Sequence, residues 1–297
     1  MAPPPLMSPV WAPNIFEGKV VLCTGGAGDI CSAQVSALVA LGANATIIGR
    51  NPSKTHARAA EIAALREGAK CIGIVVDVRD AAAMERAVER TVEELGGVDY
   101  VICGAAGNFL ATTTNLSANA FKAVMDIDVL GSYNTVKAAL PELKRTRGKI
   151  LFVSATLHYT GLPYQAHVSA AKAAIDALSQ VLCVELGPWG VTSNCIAPGP
   201  IANTAGMSRL SRPDALAAAA RAIPLQRFGT VSEIADATVY LLSPAGDFVS
   251  GTTLVVDGGA WHRQGAAGSG VEYPESVLTE GVVEGVEGRG GERGSKL

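Results

Sequence analysis

The chain has 297 residues, 48% of them hydrophobic and 17% charged, with a formal net charge of -3. That length and apolar share suffice for one large core, and nothing marks a second domain of comparable size. A slightly acidic balance argues against nucleic acid and membrane surfaces as partners, since both select clustered positive charge, and no apolar run approaches the ~20 residues of a membrane span.

The opening MAPPPLMSPVWAP is proline-rich and lacks the charged-then-apolar layout of a signal peptide, so residues 1–17 read as a loose arm. VVLCTGGAGDIC, Val20 to Cys31, then breaks from an apolar strand into glycines and a helical pattern. Such a turn aims free backbone N–H groups at an anion, at the positive end of the helix dipole. Thr24, Gly25, Gly26, Gly28, Asp29 and Ile30 are therefore candidate dinucleotide-binding residues. A carboxylate at Asp29 is repelled by a phosphate unless it turns outward or caps the helix, so Asp29→Gly is expected to tighten binding. Cys31, where a glycine would be usual, implies a slightly wider helix–strand contact.

A second strand, Ala45 to Asn51, ends in Arg50, with Lys54 following. An acid there would bind a ribose 2′-hydroxyl; arginine pairs with a 2′-phosphate, which favours NADPH. A helix to about residue 67 precedes a third strand, Cys71 to Val78. Asp77 closes it, either accepting from an adenine amino group or capping the next helix. MERAVERTVEEL is an amphipathic helix, and VDYVICGAAGNF is a strand opening into small residues at Gly104 to Gly107 that let a ligand approach. A helix, the strand KILFVSAT, the helix SAAKAAIDALSQVLCVEL, the strand VTSNCIAPGPI and a last strand TTLVVDGG follow. Strict alternation predicts an α/β fold, a Rossmann-type doubly wound parallel sheet in one domain. Cys23, Cys31, Cys71, Cys103, Cys183 and Cys195 show no CxxC pair or metal spacing; they read as reduced core residues, with no metal site.

These pieces resemble the short-chain dehydrogenase/reductases over about Gly18 to Trp261, through TGGAGDI, Asp77-Val78, the AAG of Ala105 to Gly107, Lys172, PGPI and DGGAW. The resemblance implies an NADP-binding reductase domain over residues 18–262. It adds Val78, Ala106, Gly107, Pro198, Gly199, Ile201 and Thr204 to the cofactor residues. In that family a Tyr four residues before the Lys, helped by a Ser thirteen before the Tyr, handles a proton on oxygen. Here those positions are Val168 and Ala155. A valine cannot donate a proton.

Keeping the Lys without the Tyr suits hydride delivery to a carbon–carbon double bond conjugated to a carbonyl. AAGNFL, FKAVMDIDVLGS and PGPI resemble, within the family, its peroxisomal 2,4-dienoyl-CoA reductases. That resemblance implies an acyl-CoA substrate and roles for three residues. Lys172 would hold the nicotinamide ribose, Asn108, beside Phe109 in the substrate site, would donate to the thioester carbonyl, and Asp128 would position the water or proton that quenches the dienolate. Two readings stay open beside it: a carbonyl reductase whose acid is Tyr159 or Tyr164, with Ser154 and Thr156 nearby, and a cofactor-binding protein without catalysis. Arg209, Arg212 and Arg221 are cations in the region after PGPI, unassigned to CoA phosphates. Small and apolar residues along Ala170 to Leu186 suit pairing with a second copy, as a homo-oligomer.

From residue 263 the chain turns glycine- and glutamate-rich and ends Ser295, Lys296, Leu297. A terminal SKL on a flexible spacer is read by the peroxisomal import receptor, so the expected location is the peroxisome matrix.

Overall fold

The computed structural model describes residues 7–210 and 216–263, with only the backbone for Arg209 and Leu210. Arg212, the SKL terminus and the rest of the glycine-rich tail lie outside the described residues. Strands β1 (Val20–Thr24), β2 (Asn44–Gly49), β3 (Cys71–Val75), β4 (Tyr100–Cys103), β5 (Lys149–Val153), β6 (Thr192–Pro198) and β7 (Thr253–Val256) form one parallel sheet of order 3-2-1-4-5-6-7. This is the doubly wound sheet that the alternation predicts. The chain leaves β1 toward β2 and β3, then returns to its other side for β4, which opens a crevice beyond the carboxyl ends of β1 and β4.

Both faces of the sheet are covered, which is why its strands read as near-continuous apolar runs. On one face α1 (Asp29–Ala40) and α10 (Val231–Leu242) bring Val35, Leu38, Ile234 and Val239 against Val21 and Ile102. On the other, α3 (Ala81–Leu95), α5 (Gly131–Thr146) and α7 (Ala166–Leu186) bring Met84, Val88, Val136, Leu143 and Ile175 against Leu22, Val101 and Phe152. Each such side chain, fully buried, contributes about 1.5–3 kcal/mol.

Several expectations are corrected. Residues 7–17 are docked rather than loose: Phe16 is wholly buried, and the Trp11 indole donates to Asp236 on α10 at 2.6 Å. Single aromatics with no period carry no sequence signal for this. The helix α2 (Pro52–Ala63) ends before residue 67, and β2 and β3 stop short of the expected bounds at Gly49 and Val75, the last pair of their shared ladder. Asp77 does not cap α3; Asp80 does, accepting from Ala83 N at 2.9 Å. The helix expected through Leu140 is α4 (Ala118–Met125), one π-helical turn at Asp126–Leu130, and α5.

Candidate active site

The glycine turn is shaped by contacts that only glycine allows. Gly25 has φ +68°, and a Cβ there would strike the Gly104 carbonyl; at Gly26 it would strike Ile47. The Thr24 hydroxyl accepts from Gly104 N and Ala105 N at 3.3 and 3.4 Å, tying the ends of β1 and β4 together. Cys31 needs no wide helix–strand gap, because Gly104 leaves room for its sulfur. Ile30 is half-buried against the core. The crevice is a cavity of ≈ 360 Å³ lined by Gly25, Gly28, Arg50, Lys54, Asp77, Val78 and Ala106, among others. Positions expected from the glycine turn, the cationic strand end, the third strand and the small residues after the fourth thus meet in one place.

Charge in the cleft is arranged. Arg50 and Lys54 are exposed at the end of β2, where the Asn51 side chain caps α2 (Pro52–Ala63) by accepting from Lys54 N. The Asp77 carboxylate takes two hydrogen bonds from the Arg79 guanidinium, at 2.6 and 3.0 Å, and one from its backbone N–H. Arg79 chiefly, with Arg50 adding to it, holds Asp77 below the usual carboxylate range, so it remains an acceptor. Asp29 points away from the crevice: Gly28 is the α1 N-cap, and Asp29 Oδ2 accepts from Ala205 N at 2.7 Å. Pro198, Gly199, Ile201 and Thr204 line no part of this cleft. Gly199 packs on Asp257, Ile201 is buried beside Gly229, and Thr204 caps α8 (Ala205–Leu210) by accepting from Met207 N. A separate cavity of ≈ 440 Å³ lies between Ile201, Arg227, Glu233, Asp257 and Trp261.

Beyond Gly107 the three expected catalytic residues converge. Asp128, fully buried, is presented by the π-helical turn, which widens the helix by one residue and swings this side chain inward. Its Oδ1 accepts from Gly107 N at 2.7 Å; its Oδ2 lies 3.2 Å from Lys172 Nζ without an aligned hydrogen bond. Lys172 is itself buried and donates to the Val153 carbonyl at 3.0 Å. Asn108 donates to Gln165 at 3.3 Å and leaves its own carbonyl oxygen unpartnered. Where the family has its phenol, Val168 is buried with Val124 and Ala171 and packed against Phe109 and Leu157, an apolar wall.

Two groups were not singled out from sequence. Asp176, one turn beyond Lys172 on α7, is buried without a lysine or arginine partner among the described residues. It accepts from Ser154 Oγ at 2.6 Å and Tyr159 at 3.3 Å, and pairs with His158 Nε2 at 2.9 Å. The i, i+4 spacing from Lys172 was the available signal. His167, fully buried, stacks on Phe109 at 4.1 Å with neither ring nitrogen hydrogen-bonded; burial chiefly lowers its pKa, holding it neutral. Tyr159, the candidate alternative acid, is pushed up to about 12 by burial and by Asp176, so it releases a proton poorly.

A doubly wound sheet with a glycine turn at its switch point and a buried Asp–Lys pair beside it defines a nicotinamide-dependent oxidoreductase. The family model described as Enoyl-(Acyl carrier protein) reductase matches residues 25–261, and the chain belongs to the short-chain dehydrogenase/reductase family. It is 53% identical over 270 residues to the peroxisomal 2,4-dienoyl-CoA reductase SPS19 of Saccharomyces cerevisiae, covering 90% of this chain and 92% of that one. The peroxisomal 2,4-dienoyl-CoA reductase of Danio rerio is 42% identical over 85% and 84% of the two chains. Among solved structures, the citronellol catabolism dehydrogenase of Pseudomonas aeruginosa superposes with a TM-score of 0.75 at 29% identity, over 85% of this chain and 98% of that one.

Proposed function

We propose that this chain is an NADPH-dependent 2,4-dienoyl-CoA reductase yielding a 3-enoyl-CoA, an auxiliary step in the β-oxidation of unsaturated fatty acids. The observation that carries the chemistry is the pairing of a free Asp128 Oδ2, beside Lys172, with an apolar Val168 where a phenol would otherwise stand. The cofactor supplies hydride when bound. The backbone N–H groups of the glycine turn and the cations Arg50 and Lys54 hold its phosphates, with Arg50 favouring the 2′-phosphate. Lys172 holds the nicotinamide ribose.

Hydride addition to a conjugated thioester builds negative charge on the carbonyl oxygen, and Asn108 Nδ2 is the donor that stabilises it. Gln165, its present partner at 3.3 Å, leaves the second amide hydrogen available. The proton is then required at carbon. Asp128 Oδ2 can hold a water there, with Lys172 balancing the carboxylate, and the partly buried Phe109 and Leu157, packed on Val168, would offer the acyl chain an apolar wall.

The names of the relatives and the terminal Ser295, Lys296, Leu297 support import into the peroxisome through its receptor. The exposed Leu130, Tyr133 and Val181, beside an apolar hollow between α5 and α7, support a homo-oligomer. The deciding experiment follows NADPH oxidation with 2,4-decadienoyl-CoA and with 3-oxodecanoyl-CoA. Turnover of the dienoyl substrate alone is the expected result. Turnover of the oxo substrate alone would overturn it, and cofactor binding without either turnover would mark a fold without the chemistry.

A further inference from the structure

Gly107, Asn108 and Phe109 belong to no helix or strand, so contacts with other elements decide where the Asn108 amide points. Gly107 N donates to Asp128 Oδ1 at 2.7 Å, and the Phe109 ring stacks on buried His167 at 4.1 Å. Those two contacts hold the residues on either side of Asn108. They do not fix its side chain. Among the described residues the Asn108 side chain has one hydrogen-bond partner, Gln165 Oε1, which accepts from Nδ2 at 3.3 Å. The Asn108 carbonyl oxygen is buried with none. An amide carries two hydrogens on one planar nitrogen, so a bond that takes the first fixes the direction of the second.

We infer that Gln165 is a positioning residue, whose side-chain oxygen holds the Asn108 amide so that its remaining N–H faces the thioester carbonyl; this rests on reading Asn108 as the thioester donor. No second role competes for that oxygen: Gln165 stands at the N-cap of α7, yet its side chain makes no capping bond. The residue before it, Tyr164, has φ +68°, a left-handed conformation that a bulky residue adopts only under strain. The Tyr164 carbonyl accepts from Ala111 N at 3.1 Å. The strained turn is therefore tied to the loop that carries Asn108 twice, through the backbone of Tyr164 and the side chain of Gln165. Strain of this kind persists where surrounding contacts over-determine it, and here those contacts run to that loop.

The consequence falls on the transition state. Hydride addition builds a charge on the thioester oxygen that the ground state lacks, so a donor held in line gains strength as the reaction proceeds. Loosening Asn108 then lowers kcat more than it raises KM.

Gln165→Met keeps the length of the side chain and removes the acceptor, whereas Gln165→Glu keeps an acceptor. With 2,4-decadienoyl-CoA, kcat is expected to fall about five- to tenfold in Gln165→Met, the weight of one neutral hydrogen bond, and less than about threefold in Gln165→Glu, with KM within about threefold in both. A spectroscopic reading uses the protein with 2,4-decadienoyl-CoA and NADP+, which has no hydride to give, so the dienoyl chromophore stays intact. A donor on its carbonyl moves the absorption to longer wavelength. That red shift is expected in the wild type and in Gln165→Glu, smaller in Gln165→Met and absent in Asn108→Ala. A red shift and kcat of wild-type size in Gln165→Met, with the shift lost in Asn108→Ala, would overturn the inference and leave Asn108 as the donor. Equal losses in both Gln165 variants would mark a merely structural role and overturn it too. A red shift that survives in Asn108→Ala would remove the donor reading itself, and the inference with it.

Discussion

Asp128 and Lys172 face each other at 3.2 Å in a site where the carboxylate is fully buried and the ammonium nearly so. A buried ion pair gives little net stability, and breaking it by removing one partner costs about 3–5 kcal/mol because a charge is stranded. Its retention beside Gly107 therefore speaks for use in the reaction. Asp128→Asn, which keeps the Gly107 hydrogen bond, is expected to lower kcat by about 10²–10³-fold on a dienoyl-CoA, the usual weight of a proton-handling group. The affinity for NADPH, measured by fluorescence titration, should change less than about threefold. A fall in affinity with kcat intact would place Asp128 in binding rather than proton handling.

Arg50 lies exposed at the end of β2, in the cleft with Lys54. Replacing it by alanine is expected to cost about 1.5–3 kcal/mol of binding to a 2′-phosphate and almost none to a 2′-hydroxyl. The ratio of kcat/KM for NADPH over NADH should then fall by at least about tenfold. An unchanged ratio would move the discrimination to another cation.

Val168 fills the place of a phenol and is buried with Val124 and Ala171. Val168→Tyr puts a larger, polar side chain into a closed apolar wall. A loss of about 1–3 kcal/mol in stability is expected from overpacking, read by thermal or denaturant unfolding. No ketone reduction should appear, since the matching Ser position is Ala155 and Ser154 is already committed to Asp176 at 2.6 Å.

His167 has its pKa lowered, chiefly by burial, from the 6.5 of an accessible imidazole. As pH falls below about 6.5 the unfolded chain binds a proton that the folded chain refuses, so stability declines from there downward. Tm measured between pH 7.5 and 5 should drop more steeply for the wild type than for His167→Gln, which cannot titrate. Parallel curves would show that His167 binds its proton equally well in both states.

Much of the site was legible from local pattern. Gly25, Gly28, Arg50, Asp77 and Ala106 each stand at the carboxyl end of a strand, and a doubly wound sheet brings such ends together, so naming the strands named the cleft. The same pattern erred where long-range partners decide. Asp77 is the capping candidate by sequence, but its carboxylate is taken by Arg79 and the cap is Asp80, three residues on. Trp11 and Phe16 carry no period, and only the core they enter reveals their docking.

The sequence alone determined the α/β alternation, the glycine turn, the cationic strand end and the absence of the Tyr and Ser at Val168 and Ala155, because each is a matter of residue type at a short, fixed spacing. Tertiary structure alone decided which way the acids point. Asp128 reaches Lys172 because a π-helical turn rotates it inward, Asp176 gathers Ser154 from the loop after β5 and His158 and Tyr159 from the short helix Leu157–Thr160, and Asp29 turns from the phosphate site to a backbone N–H 176 residues on. A carboxylate takes the donors that folding sets beside it, and those donors come from elements far apart along the chain.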